Sequence, residues 1–343
     1  MSECIGVLGS GSFGTAIARL LSKNNDVLLY TRRDDIMHAI NEKHSMKGYP
    51  LSETITATKS LEEVAEKCHL IFPIIPSQFL RQVAKQISPY VGPGHILIHG
   101  TKGLDVSTAY DSATTLKEIR KSVFTMCEVI KQETSVIRTG ALAGPNLAKE
   151  ILEGQPAATV IASDFDEVIE MGKAALANKQ FIVYGSHSLK GLELAGALKN
   201  AIAIASGLMN GIGFGHNMQA LLITRGLREM IHIAKAVDAE VNAFLGTAGI
   251  GDLIATATSS SSRNYTFGMH LAQGKTAAEI GEIMDEIAEG YRTIKFAHKI
   301  VQAANLDAPI IKTLYNVVYK ERPIKKALIE LIHNPLSEDV DFI

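Results

Sequence analysis

Three groups of residues have types and spacings suited to chemistry. The first is the glycine-rich stretch Gly9-Ser-Gly-Ser-Phe-Gly14, and the second is Lys199, a single cation inside a long apolar segment. The third runs from Gly249-Ile-Gly-Asp252 to the cluster Ser262-Arg-Asn264. Glycine loops bind phosphates through backbone N–H groups, and a positioned lysine can exchange a proton. Because a guanidinium beside hydroxyl and amide groups suits a phosphate monoester, these residues indicate chemistry on an anionic small molecule.

The glycine-rich stretch has the context of a dinucleotide-binding loop. It follows a short β-branched run and opens an alanine-rich helix predicted over 15–21, and strand, glycine loop and helix in this order form the known fingerprint. Gly9 permits a tight turn, Gly11 admits the pyrophosphate against the backbone, and Gly14 lets helix and strand pack closely. A purely structural glycine turn is the alternative.

Two arginines, Arg32 and Arg33, stand where the second predicted strand ends, 18 and 19 positions after Gly14. In dinucleotide-binding domains this region contacts the adenosine ribose. An acidic residue there would repel a 2′-phosphate, whereas guanidiniums pair with it. We therefore expect NADP(H) to be favoured, with NAD(H) possible. Alternatively, Asp34 and Asp35 follow directly and neutralise both arginines in a solvated charge pair.

Lys199 projects from a helical face whose neighbours at three and four positions are uncharged: Ala195, Gly196, Ile202 and Ala203. Because an unpaired buried ammonium is costly, Lys199 either pairs with a carboxylate or exchanges protons with a ligand. A snorkelling or salt-bridged structural lysine is the alternative. Asp252 follows a glycine turn and precedes Thr256 by four residues, so a carboxylate and a hydroxyl share one helical face. For the serine run before Arg263, the alternative is a polar surface loop.

The chain reads as two domains. Up to about residue 185, short β-branched runs alternate with amphipathic stretches, which is typical of βαβ units around a parallel sheet. The predicted strands are 5–8, 27–30, 70–75, 96–99, 135–142, 158–162 and 181–184. Predicted helices then cover 189–209, 218–237, 277–286, 293–304 and 310–319. We predict an α/β fold, with a Rossmann-like, doubly wound, mostly parallel sheet domain over 1–187 and an all-helical substrate-binding and catalytic domain over 188–343.

Composition excludes several classes of function. The 343 residues include 34 Lys and Arg against 36 Asp and Glu, and this balance argues against a nucleic-acid partner. Three cysteines favour a reducing cytoplasm over a disulfide framework. The first residues lack the pattern of a signal peptide, and the apolar stretch 194–215 is interrupted by polar residues, so we expect a buried helix and no membrane insertion. No histidine spacing indicates a metal site.

Two further loops are predicted at the carboxyl edge of the sheet, where doubly wound folds bind ligands. Lys102-Gly103 follows the strand predicted over 96–99, and Gly144-Pro-Asn146 follows the one over 135–142. Each is a weak signal alone, because a loop lysine is usually solvated and Gly-Pro is usually a turn.

Taken together, these residues resemble the soluble NAD(P)-dependent glycerol-3-phosphate dehydrogenase family from Gly9 to about Arg322. The resemblance is carried by Gly9-Ser-Gly-Ser-Phe-Gly-Thr-Ala16, Thr101-Lys-Gly-Leu104, Gly144-Pro-Asn-Leu-Ala-Lys-Glu150, Gly191-Leu-Glu-Leu-Ala-Gly-Ala-Leu-Lys-Asn200, Thr224-Arg-Gly-Leu227, Gly251-Asp-Leu253, Ser262-Arg-Asn264 and Glu289-Gly-Tyr-Arg292. Two departures are visible: Phe13 stands where the family often has Trp or Tyr, and Ala143 replaces a common serine.

The resemblance implies reduction of dihydroxyacetone phosphate to sn-glycerol 3-phosphate for glycerophospholipid synthesis, in a cytoplasmic homodimer joined through the helical half. It makes Lys199 the proton donor or acceptor, supported by Asp252. For the reduction itself, we expect Lys102 to help polarise the same carbonyl oxygen. Residues implied around the substrate are Lys102, Gly144, Asn146, Lys199, Asp252, Ser262, Arg263 and Asn264, with Arg263 and Asn264 at its phosphate. Residues expected at the cofactor are Gly9, Gly11, Ser12, Phe13, Gly14, Arg32, Arg33, Lys102, Ala148, Arg263, Ile287 and Glu289.

Two rival functions stay open. A 3-hydroxyacid dehydrogenase also combines a dinucleotide-binding domain with a helical domain and a lysine, but it usually has Lys-x-x-x-Asn, where this chain has Ala203. A non-catalytic NAD(P)-binding regulatory protein would keep the fold without the reaction.

Overall fold

The computed structural model describes residues 4–284 and 288–327. This part of the chain divides into two compact units. The first unit takes the residues up to Asp105 together with Thr125–Leu189, and the second takes Val106–Phe124 together with the described residues from Lys190 onward. The predicted domains over 1–187 and 188–343 assign Val106–Phe124 to the first half, so their exact division stays a prediction.

Strands of the first half build one large sheet. In chain order the strands are β1 (Cys4–Leu8), β2 (Asp26–Tyr30), β3 (Ser45–Met46), β4 (Tyr49–Pro50), β5 (Ile55–Thr58), β6 (Leu70–Pro73), β7 (Ile96–His99), β8 (Asp105–Val106), β9 (Val123–Phe124), β10 (Arg138–Ala143), β11 (Ala157–Ser163) and β12 (Phe181–Ser186). Eight of them form the sheet in the order β12-β11-β10-β7-β6-β1-β2-β5. Every neighbouring pair is parallel except β10 with β11. The order reverses beside β1, and ligands of doubly wound sheets bind at such a switch point.

Helices of the first half connect these strands. They are α1 (Ser12–Leu21), α2 (Asp34–Lys43), α3 (Leu61–Lys67), α4 (Ser77–Ile87), α5 (Leu116–Ser122), α6 (Met126–Glu133), α7 (Ala148–Leu152) and α8 (Asp166–Leu176). Of these, α5 belongs to the second unit. The core lies between the sheet and helices α1, α2, α7 and α8, and it includes Val7, Ile17, Leu29, Phe72 and Ile98, each almost fully buried. Because parallel strands are covered on both faces, β1, β6 and β7 read as nearly continuous apolar runs.

The second unit is helical beyond Lys190. Its helices there are α9 (Leu189–Gly211), α10 (His216–Ala236), α11 (Asp252–Thr258), α12 (Arg263–Ala272), α13 (Ala277–Ile283), α14 (Glu289–Ala303) and α15 (Pro309–Lys320). By length and hydropathy α9 could cross a membrane, but its most apolar window is entirely buried inside the protein. The prediction of a buried helix is therefore confirmed for the part of 194–215 that α9 covers, whereas residues 212–215 lie beyond the end of the helix.

The segment Val106–Phe124 is tied to the helices of the second unit by two cations. The guanidinium of Arg120 donates to the carbonyl oxygen of Ala236 from Nε at 3.1 Å, at the carboxyl end of α10. The ammonium of Lys299 on α14 lies 4.4 Å from the centroid of the Tyr110 ring. A cation at a helix carboxyl end and a cation over an aromatic face are both favourable, which explains where this segment packs.

The predicted fold class is confirmed, with some differences in its elements. All seven predicted strands are present, but β10 starts at Arg138 instead of residue 135, and Ile137 before it is exposed. The edge strand β5 was not predicted because its sequence, Ile-Thr-Ala-Thr, is short and half polar. The short helix α12 was not predicted, whereas α11 agrees with the helical face expected for Asp252 and Thr256. The helix predicted over 277–286 ends at Ile283, and Glu286 lies outside the described residues.

A buried carboxylate holds the amino end of α15. Glu229 on α10 is 1% exposed, and its two oxygens accept hydrogen bonds from the backbone N–H groups of Ile310 at 2.7 Å and Ile311 at 2.9 Å. Burial raises the pKa of Glu229 to about 8, because desolvation of the charged form outweighs the two N–H donors. The folded protein therefore holds this proton over a pH range in which the unfolded chain releases it.

We predict that Glu229 makes the free energy of unfolding depend on pH. Its folded-state pKa is raised, so its stabilisation is complete below about pH 4.5 and is lost as the pH rises through about 8, by at most about 1.4 kcal/mol per pH unit. Glu229→Gln removes this titration. In urea unfolding at pH 6, 7 and 8, the stability of the variant relative to wild type should rise with pH.

The control is Glu279→Gln, because Glu279 is an exposed cap on α13 whose pKa is lowered by the backbone N–H of Thr276. The effect of this variant should be constant between pH 6 and 8. A constant effect for Glu229→Gln as well would contradict the prediction.

Candidate active site

The glycine loop between β1 and α1 is shaped by two close approaches. Gly9 has φ +118°, and a Cβ atom there would lie 2.4 Å from the carbonyl oxygen of Ile74. A Cβ atom on Gly14 would lie 2.0 Å from the carbonyl oxygen of Gly9. Both positions therefore require glycine. The same atom built on Gly11 meets nothing of the described chain within 4 Å, so the loop is open on the side where α1 begins.

This opening fits the pyrophosphate of a dinucleotide. Gly11 is the residue that precedes α1, and no side chain caps the first N–H groups of the helix. Free N–H groups at a helix start attract anions. The next two residues, Ser12 and Phe13, form the first turn of α1, so the residues predicted for the cofactor loop are assembled in one place.

The two arginines after β2 have different surroundings. Arg33 donates from Nε to Oδ1 of Asp35 at 3.0 Å and makes a second ion-pair contact with the other carboxylate oxygen. This guanidinium holds the pKa of Asp35 below its ordinary value. Asp34 instead pairs with Lys59 at 2.8 Å. Arg32 is exposed and has no hydrogen bond or ion pair with residues 4–284 or 288–327. The charge pair considered as the alternative is thus present for Arg33 and absent for Arg32 within those residues.

Residues predicted from separate motifs meet at the carboxyl edge of the sheet in the first unit. The Lys102 ammonium, after β7, donates to the carbonyl oxygen of Gly144, after β10, at 3.1 Å. It also lies 5.9 Å from the centroid of the Phe13 ring on α1. Ala148 begins α7 a few residues later. One edge therefore carries a cation, an aromatic ring and the glycine loop.

Asn146 contributes a buried polar atom to this edge. Its Nδ2 donates to the Thr159 hydroxyl at 2.9 Å, and that hydroxyl donates to the carbonyl oxygen of Ala143. The Oδ1 atom of Asn146 is buried and finds no partner among the described residues. Unpaired buried polar atoms are rare because they cost free energy, so this oxygen is well placed to accept a hydrogen bond from a ligand.

Lys199 of the second unit sits in a buried ion pair. Its side chain is 3% exposed, and Nζ lies 2.7 Å from Oδ1 of Asp252, which is 2% exposed. Nζ also donates to the hydroxyl of Thr256, which in turn donates to Oδ1 of Asp252 at 3.3 Å. Lys199 therefore has the carboxylate partner that its burial requires.

A tight backbone turn and a polar clamp place α11 against α9. The π-helical turn Thr247–Gly251 precedes Asp252, and a Cβ atom on Gly249 would lie 2.2 Å from the carbonyl oxygen of Phe244. At the other end of α11, the Ser206 hydroxyl on α9 donates to the carbonyl oxygen of Ala257 at 2.6 Å. Both ends of α11 are thus fixed, which holds Asp252 and Thr256 beside the lysine.

The start of α12 is joined to α9 and α14 by an amide. Asn264 donates from Nδ2 to Oδ1 of Asn200 at 2.9 Å, and its own Oδ1 accepts from the N–H of Gly290 at 2.9 Å. Glu289, predicted for the cofactor, is the first residue of α14. Arg263, the first residue of α12, is exposed next to Asn264.

Two of the residues predicted at the substrate, Ser262 and Asn264, also stabilise the fold. Ser262 caps α12 by accepting from the N–H of Tyr265 at 3.3 Å, and both amide atoms of Asn264 bond to the protein. Ile287 lies outside the described residues. Sequence reasoning missed Asn200 as the partner of Asn264 and Ser206 as the residue that holds α11. No periodicity indicates either contact, because each joins positions more than 50 residues apart.

Comparisons with known proteins agree with this arrangement. A family model for the N-terminus of NAD-dependent glycerol-3-phosphate dehydrogenase matches residues 4–169, and one for its C-terminus matches residues 188–329. The chain belongs to the NAD-dependent glycerol-3-phosphate dehydrogenase family. The predicted resemblance is therefore confirmed, and the chain is a member of a family of oxidoreductases.

Individual relatives support the family over the full length. Glycerol-3-phosphate dehydrogenase [NAD(P)+] of Geobacter metallireducens is 35% identical, over 98% of this chain and 99% of the relative. The enzyme of the same name from Saccharophagus degradans is 34% identical, over 98% and 91%. The crystal structure of glycerol-3-phosphate dehydrogenase from Coxiella burnetii superposes with a TM-score of 0.86 at 27% identity, covering 97% of this chain and 99% of that one.

We predict that removing one charge of the buried Lys199–Asp252 pair lowers the free energy of unfolding more than removing both charges does. Asp252→Leu leaves the Lys199 ammonium buried without its counter-charge, which should lower the free energy of unfolding by about 3–5 kcal/mol. The double variant Lys199→Met with Asp252→Leu should recover most of that loss, because no unpaired charge remains. Urea unfolding of the three proteins gives both values.

Asp34→Leu is the matched control, since it breaks the exposed pair with Lys59 and should cost less than about 1 kcal/mol. A double variant as unstable as Asp252→Leu would show that the charge pair is not what holds α9 and α11 together.

Proposed function

We propose that the protein reduces dihydroxyacetone phosphate to sn-glycerol 3-phosphate with a reduced nicotinamide dinucleotide, and catalyses the reverse oxidation. The observation that carries this proposal is the buried Lys199–Asp252–Thr256 group in a chain that also has an open dinucleotide loop. The names of the relatives, glycerol-3-phosphate dehydrogenase [NAD(P)+], support the same reaction.

In this proposal the cofactor, when bound, supplies a hydride to the ketone carbon of the substrate. Negative charge then grows on the carbonyl oxygen, and the Lys199 ammonium donates a hydrogen bond to that oxygen and then its proton. Asp252 and Thr256 fix the position of Nζ and orient its N–H bonds. In the reverse direction the neutral amine accepts the hydroxyl proton. Proton transfer is thus assigned to groups already in contact.

The substrate phosphate is assigned to the start of α12. Arg263 supplies an exposed guanidinium at the first turn of a helix, where N–H groups also favour an anion. The Asn264 amide has two hydrogens, and the one that is not bonded to Asn200 adds a neutral donor. Lys102 and Asn146 of the first unit are assigned to the polar groups of the substrate, as the cation and the unpaired buried oxygen of the sheet edge. No step of this mechanism needs a metal.

We also propose NADP(H) as the favoured cofactor, with NAD(H) used as well. Arg32 is the exposed cation at the ribose position. Arg33 would break its ion pair with Asp35 and pair with the 2′-phosphate instead. The proposed setting is glycerophospholipid synthesis in the cytoplasm, by a homodimer joined through the helical half. Light scattering on the purified protein measures its mass directly.

We predict that Lys199→Met abolishes reduction of dihydroxyacetone phosphate by NADPH, with kcat falling by about 10²–10⁴ or more because the proton donor is lost. Binding of NADPH, followed by its fluorescence, should be retained. Lys179→Met is the control, because Lys179 is an exposed lysine in the first unit and its replacement should leave turnover unchanged.

The same assay separates the rival functions. Wild-type protein that turns over only 3-hydroxy acids would be a hydroxyacid dehydrogenase. Wild-type protein that binds NADPH but turns over no substrate in the panel would favour a regulatory role, and either outcome would reject the proposed reaction.

A further prediction concerns the choice of cofactor. Arg32→Ala should raise the KM for NADPH by about tenfold and leave the KM for NADH nearly unchanged, because only NADPH has a 2′-phosphate. Arg33→Ala should have a smaller effect of the same kind, since Arg33 must first leave Asp35. Asp35→Asn frees Arg33 and should lower the KM for NADPH. An unchanged ratio of the two KM values in the Arg32→Ala/Arg33→Ala double variant would remove the assignment.

A further inference from the structure

We propose that Lys47 is a cofactor-binding residue whose ammonium pairs with the pyrophosphate of the dinucleotide. This inference rests on the dinucleotide binding of the proposed function. The Nζ atom of Lys47 donates to the hydroxyl of Ser12 at 3.0 Å. Ser12 is the first residue of α1 and follows Gly11 at the open side of the glycine loop. A cation 35 positions away in sequence is thus brought to the phosphate end of the loop.

The position of Lys47 is set by a hairpin. Strands β3 and β4 pair antiparallel, with Met46 opposite Tyr49, and the two residues between them are Lys47 at φ +50° and Gly48 at φ +82°. Two successive residues in the left-handed region form the tight two-residue turn that suits the twist of a hairpin. Lys47 therefore sits at the tip of a short and well-defined loop.

The hairpin is anchored to the helix it faces. Met46 is buried, and its sulfur accepts a hydrogen bond from the Thr15 hydroxyl on α1 at 3.0 Å. Thr15 is three residues after Ser12, so the two lie on one face of α1. Consecutive residues of the hairpin, Met46 and Lys47, thus contact positions one turn apart on the helix. Because the first contact is buried, it directs the second toward the amino end of α1.

Electrostatics indicate which kind of group Lys47 and the start of α1 would bind together. The amino end of a helix carries partial positive charge, which disfavours an ammonium. Lys47 nevertheless lies there, and it has no ion pair with residues 4–284 or 288–327. An anion held between the ammonium and the free N–H groups of α1 would satisfy both. The pyrophosphate carries that charge, and it is common to NAD(H) and NADP(H), so Lys47 raises the affinity for both cofactors equally.

The test uses a substitution that suits the turn. Lys47→Asn removes the charge and places Asn-Gly at the tip, the sequence that two-residue hairpin turns favour, so the turn itself is not weakened. Lys47→Arg retains the charge. Lys43→Gln is the control, because Lys43 is an exposed lysine at the end of the adjacent helix α2. The dissociation constants of NADPH and NADH are measured by the fluorescence of their reduced nicotinamide rings.

We expect Lys47→Asn to weaken the binding of NADPH and of NADH by about the same factor, roughly tenfold. Both affinities should also become less dependent on salt. Lys47→Arg and Lys43→Gln should bind both cofactors as wild type does. Weaker binding of NADPH alone would assign Lys47 to the 2′-phosphate and overturn the proposal. Unchanged binding of both would also overturn it, by showing a solvated lysine.

The proposed function can fail separately. Wild-type protein that binds both nucleotides without reducing dihydroxyacetone phosphate would reject the reaction, while the binding comparison still decides the role of Lys47. Wild-type protein that binds neither nucleotide would reject both proposals.

Discussion

The buried pair of Lys199 and Asp252 is the interaction on which the second unit depends. Two opposite charges have been removed from water, and their attraction compensates only if the geometry is close and further hydrogen bonds satisfy both groups. The 2.7 Å contact and the shared Thr256 hydroxyl meet that requirement. Any movement of α11 away from α9 would separate the two buried charges. The packing around the pair therefore has to be rigid.

Rigidity comes from backbones that approach closely where side chains are absent. A Cβ atom on Gly207 of α9 would lie 2.0 Å from the carbonyl oxygen of Tyr265, so α12 crosses α9 in direct contact. A Cβ atom on Gly290 would lie 2.5 Å from the carbonyl oxygen of Asn200, which fixes α14 against the same helix. Such contacts resist sliding because a small displacement produces a clash. These close contacts lie along α9 between Asn200, next to the lysine, and Gly207, which meets α12. The proposed proton donor and the proposed phosphate site are therefore held by the same helix.

Sequence reasoning predicted the fold through periodicity and the candidate residues through their types, and its failures have physical causes. Strand runs such as Leu70–Pro73 are apolar throughout because both faces are buried, so they were found, whereas β5 at the sheet edge is half polar and was missed. Asp252 was found from its glycine turn, yet its contact with Lys199 spans 53 positions and leaves no local pattern. The pairing of Arg33 with Asp35 was foreseen only as one of two alternatives, because local sequence does not say which acid reaches which base.

The near-neutral net charge of −2 also has a structural interpretation. The charge of Lys199 is cancelled by Asp252 at 2.7 Å, so this lysine exerts little attraction on a distant anion. Lys199 therefore acts only on a group in direct contact with it, with which it can exchange a proton. Attraction of an anionic cofactor has to come from cations without such a partner, and Arg32 and Lys47 are exposed beside the glycine loop. The protein thus separates the cation that we assign to the reaction from the cations that we assign to capture, by burying and pairing the first and exposing the others.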